Sequence, residues 1–215
     1  MERVNDSFTS PLEEKALKKI VPLIPSYISP DTLTLISVVS SFMGGIFYLF
    51  YPRFPFALVA VNFMLFLNWL ADSTDGKVAI FRNLSRPDYG YYIDHLMDAF
   101  SVLFLLGGLT LSDATNTDSW LFAGILVIIA FMNAHLKTSV LHVFSISIGK
   151  FSPTDARIAL VGINFFILFI GNSRFILLGK TLTLFDLVGW LFAGTIILLL
   201  TPDIINTARN LNKEK

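Results

Sequence analysis

The chain has 215 residues, of which 54% are hydrophobic and only 15% are charged, and its formal net charge is zero. This composition excludes an ordinary soluble globular protein, and the zero net charge argues against a nucleic acid polymer as a partner. The chain has no cysteine, which excludes disulfides and thiolate ligands, so a bound metal ion would need carboxylates, histidines or backbone oxygens.

The first predicted element is an amphipathic helix over residues 10–21. Ser10 is suited to the N-cap, Pro11 to the first helical position and Glu13 to the capping box. The apolar face consists of Leu12, Ala16, Leu17 and Ile20. The pattern predicts a helix in the membrane interface, and a helix packed on the cytosolic surface of the protein itself fits these residues equally well. Residues 1–19 have no apolar core, so we expect no cleavable signal peptide.

Six apolar segments follow in chain order. They span residues 32–51, 55–80, 91–112, 119–145, 156–171 and 183–202. Each is close to or above the roughly 20 residues that a membrane-spanning helix needs, except the fifth, which is short enough to be re-entrant or tilted. We therefore predict an all-α polytopic membrane protein with six transmembrane helices and an N-terminal interfacial helix, organised as a single domain over residues 1–215.

The basic residues are distributed unevenly between the two sides that six spans define. One side has Arg53, Arg174 and Lys180. The side of both termini has many more, namely Arg3, Lys15, Lys18, Lys19, Lys77, Arg82, Arg86, Lys150, Arg157, Arg209, Lys213 and Lys215. Because loops rich in Lys and Arg stay in the cytoplasm, we expect both termini to be cytoplasmic. The membrane would be the cell membrane or the endoplasmic reticulum, depending on the source.

Four aspartates lie at the predicted cytoplasmic ends of the second and third spans. Asp72 and Asp75 are three residues apart, and Asp94 and Asp98 are four apart, so each pair lies on one face of its helix. A short loop joins the two spans, which makes them antiparallel neighbours and brings the four carboxylates together. Each charge at mid-helix costs about 2.5–3.5 kcal/mol. One or two divalent cations, Mg²⁺ or Mn²⁺, would offset this cost, so we predict these four residues as metal ligands.

Small residues accompany the aspartates. Gly76 and Gly90 fit two interpretations, close helix packing or the approach of a nucleotide to the backbone, and Ala79 fits either role. Asp88, two residues before Gly90, is more typical of an N-cap or a surface charge. Lys77 is the basic residue within this segment.

Residues 72–98 resemble a known family. The segment DSTDGKVA (72–79), followed by GYYIDHLMD (90–98), resembles the signature of the CDP-alcohol phosphotransferase family, Asp-x-x-Asp-Gly-x-x-Ala-Arg and then Gly-x-x-x-Asp-x-x-x-Asp. The sequence departs from the signature at Ile80, where the family has arginine, with Arg82 two residues later. The gap before Gly90 is also one residue longer.

The resemblance implies an enzyme that transfers a substituted phosphoryl group from a CDP-linked donor to an alcohol in phospholipid synthesis and releases CMP. It implies that Asp98 is the general base as well as a metal ligand, and that the enzyme is a homodimer. It also implies contacts between the CDP donor and the following residues: Gly76, Ala79, Gly90, and Lys77 or Arg82.

His95 directly follows Asp94, and this Asp-His-x-x-Asp pattern is similar to choline and ethanolamine phosphotransferases, as are the segments FMNAHLKTSVLH and GKFSPTDARI. The similarity implies transfer of phosphocholine or phosphoethanolamine from CDP-choline or CDP-ethanolamine to diacylglycerol, with His95 near the headgroup or the acceptor. A helix-surface role for His95 fits as well. His135 and His142 are equally compatible with core histidines and with ligands.

Two alternatives stay open. Within the family, the donor would be CDP-diacylglycerol and the acceptor a small polar alcohol. In another class, an ion or proton transporter also places acids in membrane helices. We prefer the enzyme because the acids cluster at one membrane face, whereas the other spans have only Asp186 and Asp203 near their ends.

Overall fold

The computed structural model describes residues 2–3, 7, 9–141, 143–144, 151–177 and 179–213, which form seven α-helices and four short strands. The helices are α1 (Ser10–Ile20), α2 (Pro30–Phe50), α3 (Ala57–Phe81), α4 (Pro87–Thr110), α5 (Ser119–Leu141), α6 (Pro153–Ile170) and α7 (Leu184–Lys213). A 3-10 turn, Val21–Leu23, follows α1. The strands β1 (Glu2–Arg3) and β2 (Val143–Phe144) pair in parallel, and β3 (Arg174–Leu177) and β4 (Lys180–Thr183) form an antiparallel hairpin.

Helices α2 to α7 are long and apolar enough to cross a membrane, with mean hydropathies from 1.3 to 2.0. The prediction of an all-α polytopic membrane protein is confirmed. The short fifth segment forms the continuous helix α6 of 18 residues. The largest difference from the predicted spans is in α7, which continues from residue 202 to Lys213 with Pro202 inside it. Of the residues singled out from the sequence, Met1, His142, Lys150 and Lys215 lie outside the described part of the chain.

The N-terminal helix α1 packs on the protein itself. Leu17 is buried, whereas the lysines of α1 are exposed. The predicted capping box does not form, because the N-cap is Thr9 and no side chain caps the helix. The carboxylate of Glu13 instead accepts hydrogen bonds from Trp69 Nε1 at 3.0 Å and from Ser73 Oγ at 2.7 Å. Both partners belong to α3, so Glu13 fixes α1 against the bundle.

The centre of the bundle is formed by α2 packed along α3 and α4. The backbones of α2 and α4 touch at Gly45 and Gly108, where a Cβ on either residue would collide with the backbone of the other helix. Small residues permit this close approach between membrane helices. The short α3–α4 loop, residues 82–86, keeps the end of α3 and the start of α4 at the same end of the bundle.

A buried polar network attaches α6 to this centre. Asn164 of α6 donates a hydrogen bond to Asn62 Oδ1 of α3 at 2.8 Å and accepts one from the hydroxyl of Tyr48, on α2, at 3.0 Å. Asn164 and Tyr48 are fully buried. Hydrogen bonds between helices fix their relative positions where water is absent, so the second half of α6 is held beside the first turns of α3.

The opposite end of the bundle is fixed by a buried carboxylate. Asp186, at the start of α7, is fully buried and accepts hydrogen bonds from the backbone N–H groups of Asn116, Thr117 and Thr183. Trp120 Nε1 on α5 adds a hydrogen bond to the carbonyl of Phe185 at 2.9 Å. These bonds connect the α4–α5 loop to α7.

Candidate active site

A pocket of about 750 Å³ lies at the end of the bundle where α3 ends and α4 begins. Helices α1, α2, α3, α4 and α6 all contribute to its wall. Its volume is in the range of pockets that bind small molecules. Nine of the ten predicted site residues line it, namely Asp72, Asp75, Gly76, Lys77, Ala79, Gly90, Asp94, His95 and Asp98.

Asp72 of α3 and Asp98 of α4 lie near each other in the pocket. Their carboxylates are close enough to interact electrostatically. Two carboxylates in contact repel each other unless a proton or a cation compensates the charge. Arg157 of α6 provides a positive charge at this point, because its Nη2 atom donates a hydrogen bond of 2.8 Å to Asp72 Oδ2.

The other two aspartates have different surroundings. Asp75 is 8% exposed and accepts a hydrogen bond of 2.6 Å from Thr34 Oγ1, on the first turns of α2. Asp94 is partly exposed, and its Oδ2 atom lies 3.9 Å from His95 Nδ1. The same nitrogen lies 3.9 Å from Asp98 Oδ2. His95 is therefore placed between two predicted metal ligands.

The four carboxylates suit a hard divalent cation by donor type, since all their ligand atoms are oxygens. A cation between Asp72 and Asp98 would also relieve the repulsion of that pair. Among the described residues, no group of three or more His, Asp or Glu side chains is arranged to hold a metal ion. A cation bound by Asp72 would compete with Arg157 for the negative charge of that carboxylate. The metal ligands remain a prediction that the chemistry of the donor set fits.

Gly76 and Gly90 face open space beside the aspartates. A Cβ added to either glycine meets no atom within 4 Å. Helix packing therefore does not require glycine at these positions. This favours the interpretation that a ligand approaches the backbone here.

Arg82 does not line the pocket. Its guanidinium donates hydrogen bonds to the carbonyls of Ile28 at 2.6 Å, Ile24 at 2.7 Å and Pro25 at 3.0 Å. These carbonyls belong to the segment that connects α1 to α2. The donors of Arg82 are directed at this segment and not into the pocket, which does not favour the predicted contact of Arg82 with the donor phosphates.

Two other cations occur at the pocket mouth. Lys77 is exposed and lines the pocket, and its contact with the donor phosphates stays a prediction. Arg86 also lines it, pairs with Asp31 at the start of α2, and lies 4.2 Å from the ring centre of Tyr89. The hydrogen bond with Asp31 raises the pKa of Arg86 above its usual value. Arg86 therefore forms an exposed ion pair with Asp31 that connects the α3–α4 loop to α2.

Histidines form a second cluster at the same end of the molecule. The hydroxyl of Tyr91 lies 2.9 Å from His135 Nδ1, and the rings of His95 and His135 are 4.6 Å apart between their centres. His135 belongs to α5, so this cluster joins α4 to α5. His142, the other histidine noted in the sequence, is outside the described residues.

Sequence reasoning missed several residues of the pocket. Arg157, Glu13 and Thr34 all line it, but they come from α6, α1 and α2. The sequence separation of 85 residues between Arg157 and Asp72 leaves no periodic signal that could connect them. The sequence feature that could have indicated Arg157 is the segment GKFSPTDARI, which contains it and is similar to a segment of the choline and ethanolamine phosphotransferases.

Three relatives support the resemblance seen in the signature. The chain is 28% identical over 184 residues to a protein of Danio rerio named Cholinephosphotransferase 1. This match covers 79% of the chain and 47% of the relative. It is 29% identical over 148 residues to the proteins of the same name from Mus musculus and Rattus norvegicus, covering 64% of this chain and 36% of each relative. No family model matches the chain.

The chain spans about half the length, or less, of these curated relatives. The matches nevertheless cover most of the chain. These matches and the signature over residues 72–98 point to the same family. The comparisons therefore support the resemblance to CDP-alcohol phosphotransferases, because all three relatives are named Cholinephosphotransferase 1.

Proposed function

We propose that the chain contains the active site of a metal-dependent phosphotransferase of phospholipid synthesis. It moves a substituted phosphoryl group from a CDP-linked donor to an alcohol and releases CMP. The observation that carries this proposal is the position of the signature aspartates, all four of which line one pocket on adjacent helices. The relatives named Cholinephosphotransferase 1 support the same reaction class.

The proposed cofactor is Mg²⁺ or Mn²⁺, held by Asp72, Asp75, Asp94 and Asp98. When bound, such an ion neutralises charge on phosphate oxygens and so favours displacement at phosphorus. The support from this structure is the all-oxygen donor set and the proximity of the Asp72 and Asp98 carboxylates in the pocket.

Asp98 is the proposed general base. The acceptor hydroxyl gives its proton to the Asp98 carboxylate while its oxygen forms a bond to the phosphorus that carries the transferred group. The bond between that phosphorus and the oxygen of CMP breaks, and CMP leaves with the bonding electron pair. Asp98 is suited to this role because its side chain is mostly buried yet lines the pocket.

The proposed donor site lies along the open backbone of the signature. Gly76 and Gly90 leave space for a nucleotide, and Ala79 adds only a methyl group beside them. Lys77 is the proposed contact to the donor phosphates from this segment. Arg82 does not line the pocket and is not included in the proposed donor site.

Phosphocholine or phosphoethanolamine is the proposed transferred group, and diacylglycerol is the proposed acceptor. The names of the relatives favour this choice over phosphatidyl transfer from CDP-diacylglycerol. His95 is the candidate contact to the headgroup or the acceptor, because it lies between Asp94 and Asp98.

The transporter alternative has less support. Asp186 is satisfied by backbone N–H groups at the far end of the bundle. Asp203 is paired with Lys137 at 2.7 Å and accepts a hydrogen bond from Asn133 at 2.8 Å. Each of these acids has a local structural partner, and neither extends the pocket across the bundle.

The protein is integral to the membrane, as its six apolar helices and its relatives indicate. We propose in addition that both termini are cytoplasmic, that the pocket opens to the cytoplasm, and that the protein is a homodimer. A membrane homodimer is implied by the family resemblance alone.

The experiment is a product assay with radiolabelled CDP-choline, CDP-ethanolamine and CDP-diacylglycerol. Purified protein is incubated with each donor and with either diacylglycerol or a panel of small alcohols, with and without Mg²⁺. The proposal predicts labelled lipid from CDP-choline or CDP-ethanolamine with diacylglycerol, and only with the metal. Product from CDP-diacylglycerol alone would select the alternative donor, and no product from any donor would contradict the proposed reaction.

A further inference from the structure

Arg157 is held in the pocket by several independent contacts of α6. Ser152 and Asp155 form a capping box at the start of α6, with hydrogen bonds of 3.2 Å from Asp155 N to Ser152 Oγ and 2.8 Å from Ser152 N to Asp155 Oδ2. Thr154 Oγ1 donates to Glu13 Oε2 at 3.2 Å. Because both contacts precede Arg157 by less than two turns, its guanidinium is directed into the pocket by a fixed helix start.

The charges around Arg157 are strongly unbalanced. Asp72, Asp98 and Glu13 are all close enough to interact electrostatically with its guanidinium. The side chains of Arg157 and Asp72 are only 16% and 20% exposed, so water screens this group of charges weakly. The single positive charge of Arg157 therefore interacts with three carboxylates, and two of these, Asp72 and Asp98, are predicted metal ligands.

Arg157 uses only part of its hydrogen-bonding capacity. A guanidinium has five N–H donors in a planar fork. Within the described part of the chain, the side chain makes one hydrogen bond, from Nη2 to Asp72 Oδ2. Arg157 lines the same pocket as Lys77, Gly76 and Gly90, and a planar fork of donors matches the oxygens of a phosphate.

We propose that Arg157 and a divalent cation compete for Asp72, and that Arg157, once displaced from that carboxylate, contacts the phosphates of the nucleoside diphosphate donor. The inference rests on the proposed function and extends it to a residue that the signature does not contain. A metal ion and the guanidinium both draw on the single negative charge of Asp72, so each weakens the binding of the other to this carboxylate. Binding of the cation therefore releases a positive charge beside the place where a diphosphate is needed.

The test measures Mg²⁺ and CDP binding by thermal stability of the full chain, without turnover. Wild type, Arg157→Ala, Arg157→Lys and the control Arg86→Ala are titrated with Mg²⁺ after EDTA treatment, and then with CDP at saturating Mg²⁺. Arg86 is the matched control because it is an arginine of the same pocket that pairs with Asp31 instead.

Arg157→Ala is expected to lower Tm in EDTA, because three carboxylates lose their counter-charge, and to lower the Mg²⁺ concentration at half-saturation several-fold, because the competitor is gone. Its CDP affinity should fall roughly tenfold or more, since a charged donor to phosphate is lost.

Arg157→Lys should keep the wild-type Mg²⁺ titration but still lose CDP affinity, because an ammonium has no planar fork. Arg86→Ala should leave the Mg²⁺ half-saturation unchanged.

An unchanged or raised Mg²⁺ half-saturation in Arg157→Ala would overturn the competition, and unchanged CDP affinity in both Arg157 variants would overturn the phosphate contact. If Arg157→Ala does not fold, Arg157→Gln, which keeps most of the volume without the charge, provides the Mg²⁺ titration. Wild-type protein that responds to neither Mg²⁺ nor CDP would instead contradict the proposed function itself, so the two failures are distinguishable.

Discussion

Arg82 Nη1 donates a hydrogen bond of 2.6 Å to the carbonyl oxygen of Ile28. This bond, with those to Ile24 and Pro25, ties the end of α3 to the segment between α1 and α2. The segment in turn places the start of α2, and with it Thr34, against Asp75. Arg82, two residues after the signature position occupied by Ile80, therefore stabilises the wall of the pocket without lining it.

We predict that Arg82→Ala acts on stability and not on donor recognition. Losing hydrogen bonds from a charged group to three carbonyls should cost about 2 kcal/mol, so Tm should fall by several degrees. The CDP affinity of the folded protein should stay close to that of wild type. The measurement is Tm with and without CDP, beside Arg86→Ala as an exposed control. A large loss of CDP affinity at unchanged Tm would return Arg82 to the donor site.

We predict different effects for the asparagine variants of two aspartates. Asp98→Asn keeps the size of the side chain but cannot accept the hydroxyl proton, so turnover should fall by roughly 10²-fold or more while CDP still binds with metal. Asp75→Asn removes a charge assigned to the cation, so metal dependence and CDP binding should weaken along with turnover. The measurement is CDP affinity against Mg²⁺ concentration, with initial rates.

Asp88→Asn is the matched control for these variants. Asp88 lies on α4 like Asp98, but it is exposed and outside the pocket wall, so its variant should resemble wild type. If Asp98→Asn loses metal-dependent CDP binding as completely as Asp75→Asn, Asp98 acts only as a metal ligand and the assignment as base has no support. Near-normal turnover of Asp98→Asn would contradict the mechanism.

The helices could be predicted from the sequence because the membrane imposes a simple rule. A span needs about 20 apolar residues, and the predicted segments overlap α2 to α7. The end of α7 could not be predicted, because Pro202 and the polar residues after it are typical of a helix end in the sequence, yet the helix continues to Lys213. The prediction of a capping box at Glu13 was wrong because Trp69 and Ser73 of α3, which are distant in sequence, bind its carboxylate.

The site could be predicted where its residues are close in sequence. Asp72, Asp75, Asp94 and Asp98 share helix faces by spacing alone, and all of them line the pocket. Arg157 could not be found in this way, because only the packing of α6 on α3 brings it to Asp72. Arg82 was assigned from sequence proximity, which does not show that its side chain is directed toward the α1–α2 segment.

We predict that α1 and the α4–α5 loop lie on opposite sides of the membrane. The chain has no cysteine, so Glu14→Cys and Asp113→Cys each introduce a unique, exposed thiol. In sealed vesicles, a membrane-impermeant maleimide should label position 14 only from the cytoplasmic side and position 113 only from the other side. Tags at Met1 and Lys215 should both be cytoplasmic. Labelling of both thiols from one side would contradict the orientation.

We predict that Asp186 stabilises the far end of the bundle and has no part in catalysis. Asp186→Ala leaves the backbone N–H groups of Asn116, Thr117 and Thr183 without their acceptor, which should cost about 3 kcal/mol. Tm should fall clearly, while CDP affinity at saturating Mg²⁺ should not change. The control is Asp118→Ala, because Asp118 lies in the α4–α5 loop next to Thr117 but is exposed. Equal Tm values for the two variants would show that the buried carboxylate contributes no stability.

The central claim is that the four-aspartate pocket transfers a phosphoalcohol from a CDP-linked donor. Its most direct measurement is the rate of CMP release from CDP-choline by purified protein, with and without diacylglycerol and with and without Mg²⁺, for wild type and Asp98→Asn. The account predicts CMP release by wild type only when both the metal and the lipid acceptor are present, with phosphatidylcholine formed in equal amount, and a rate lower by roughly 10²-fold or more in Asp98→Asn. CMP release that needs neither the acceptor nor Asp98 would contradict the account.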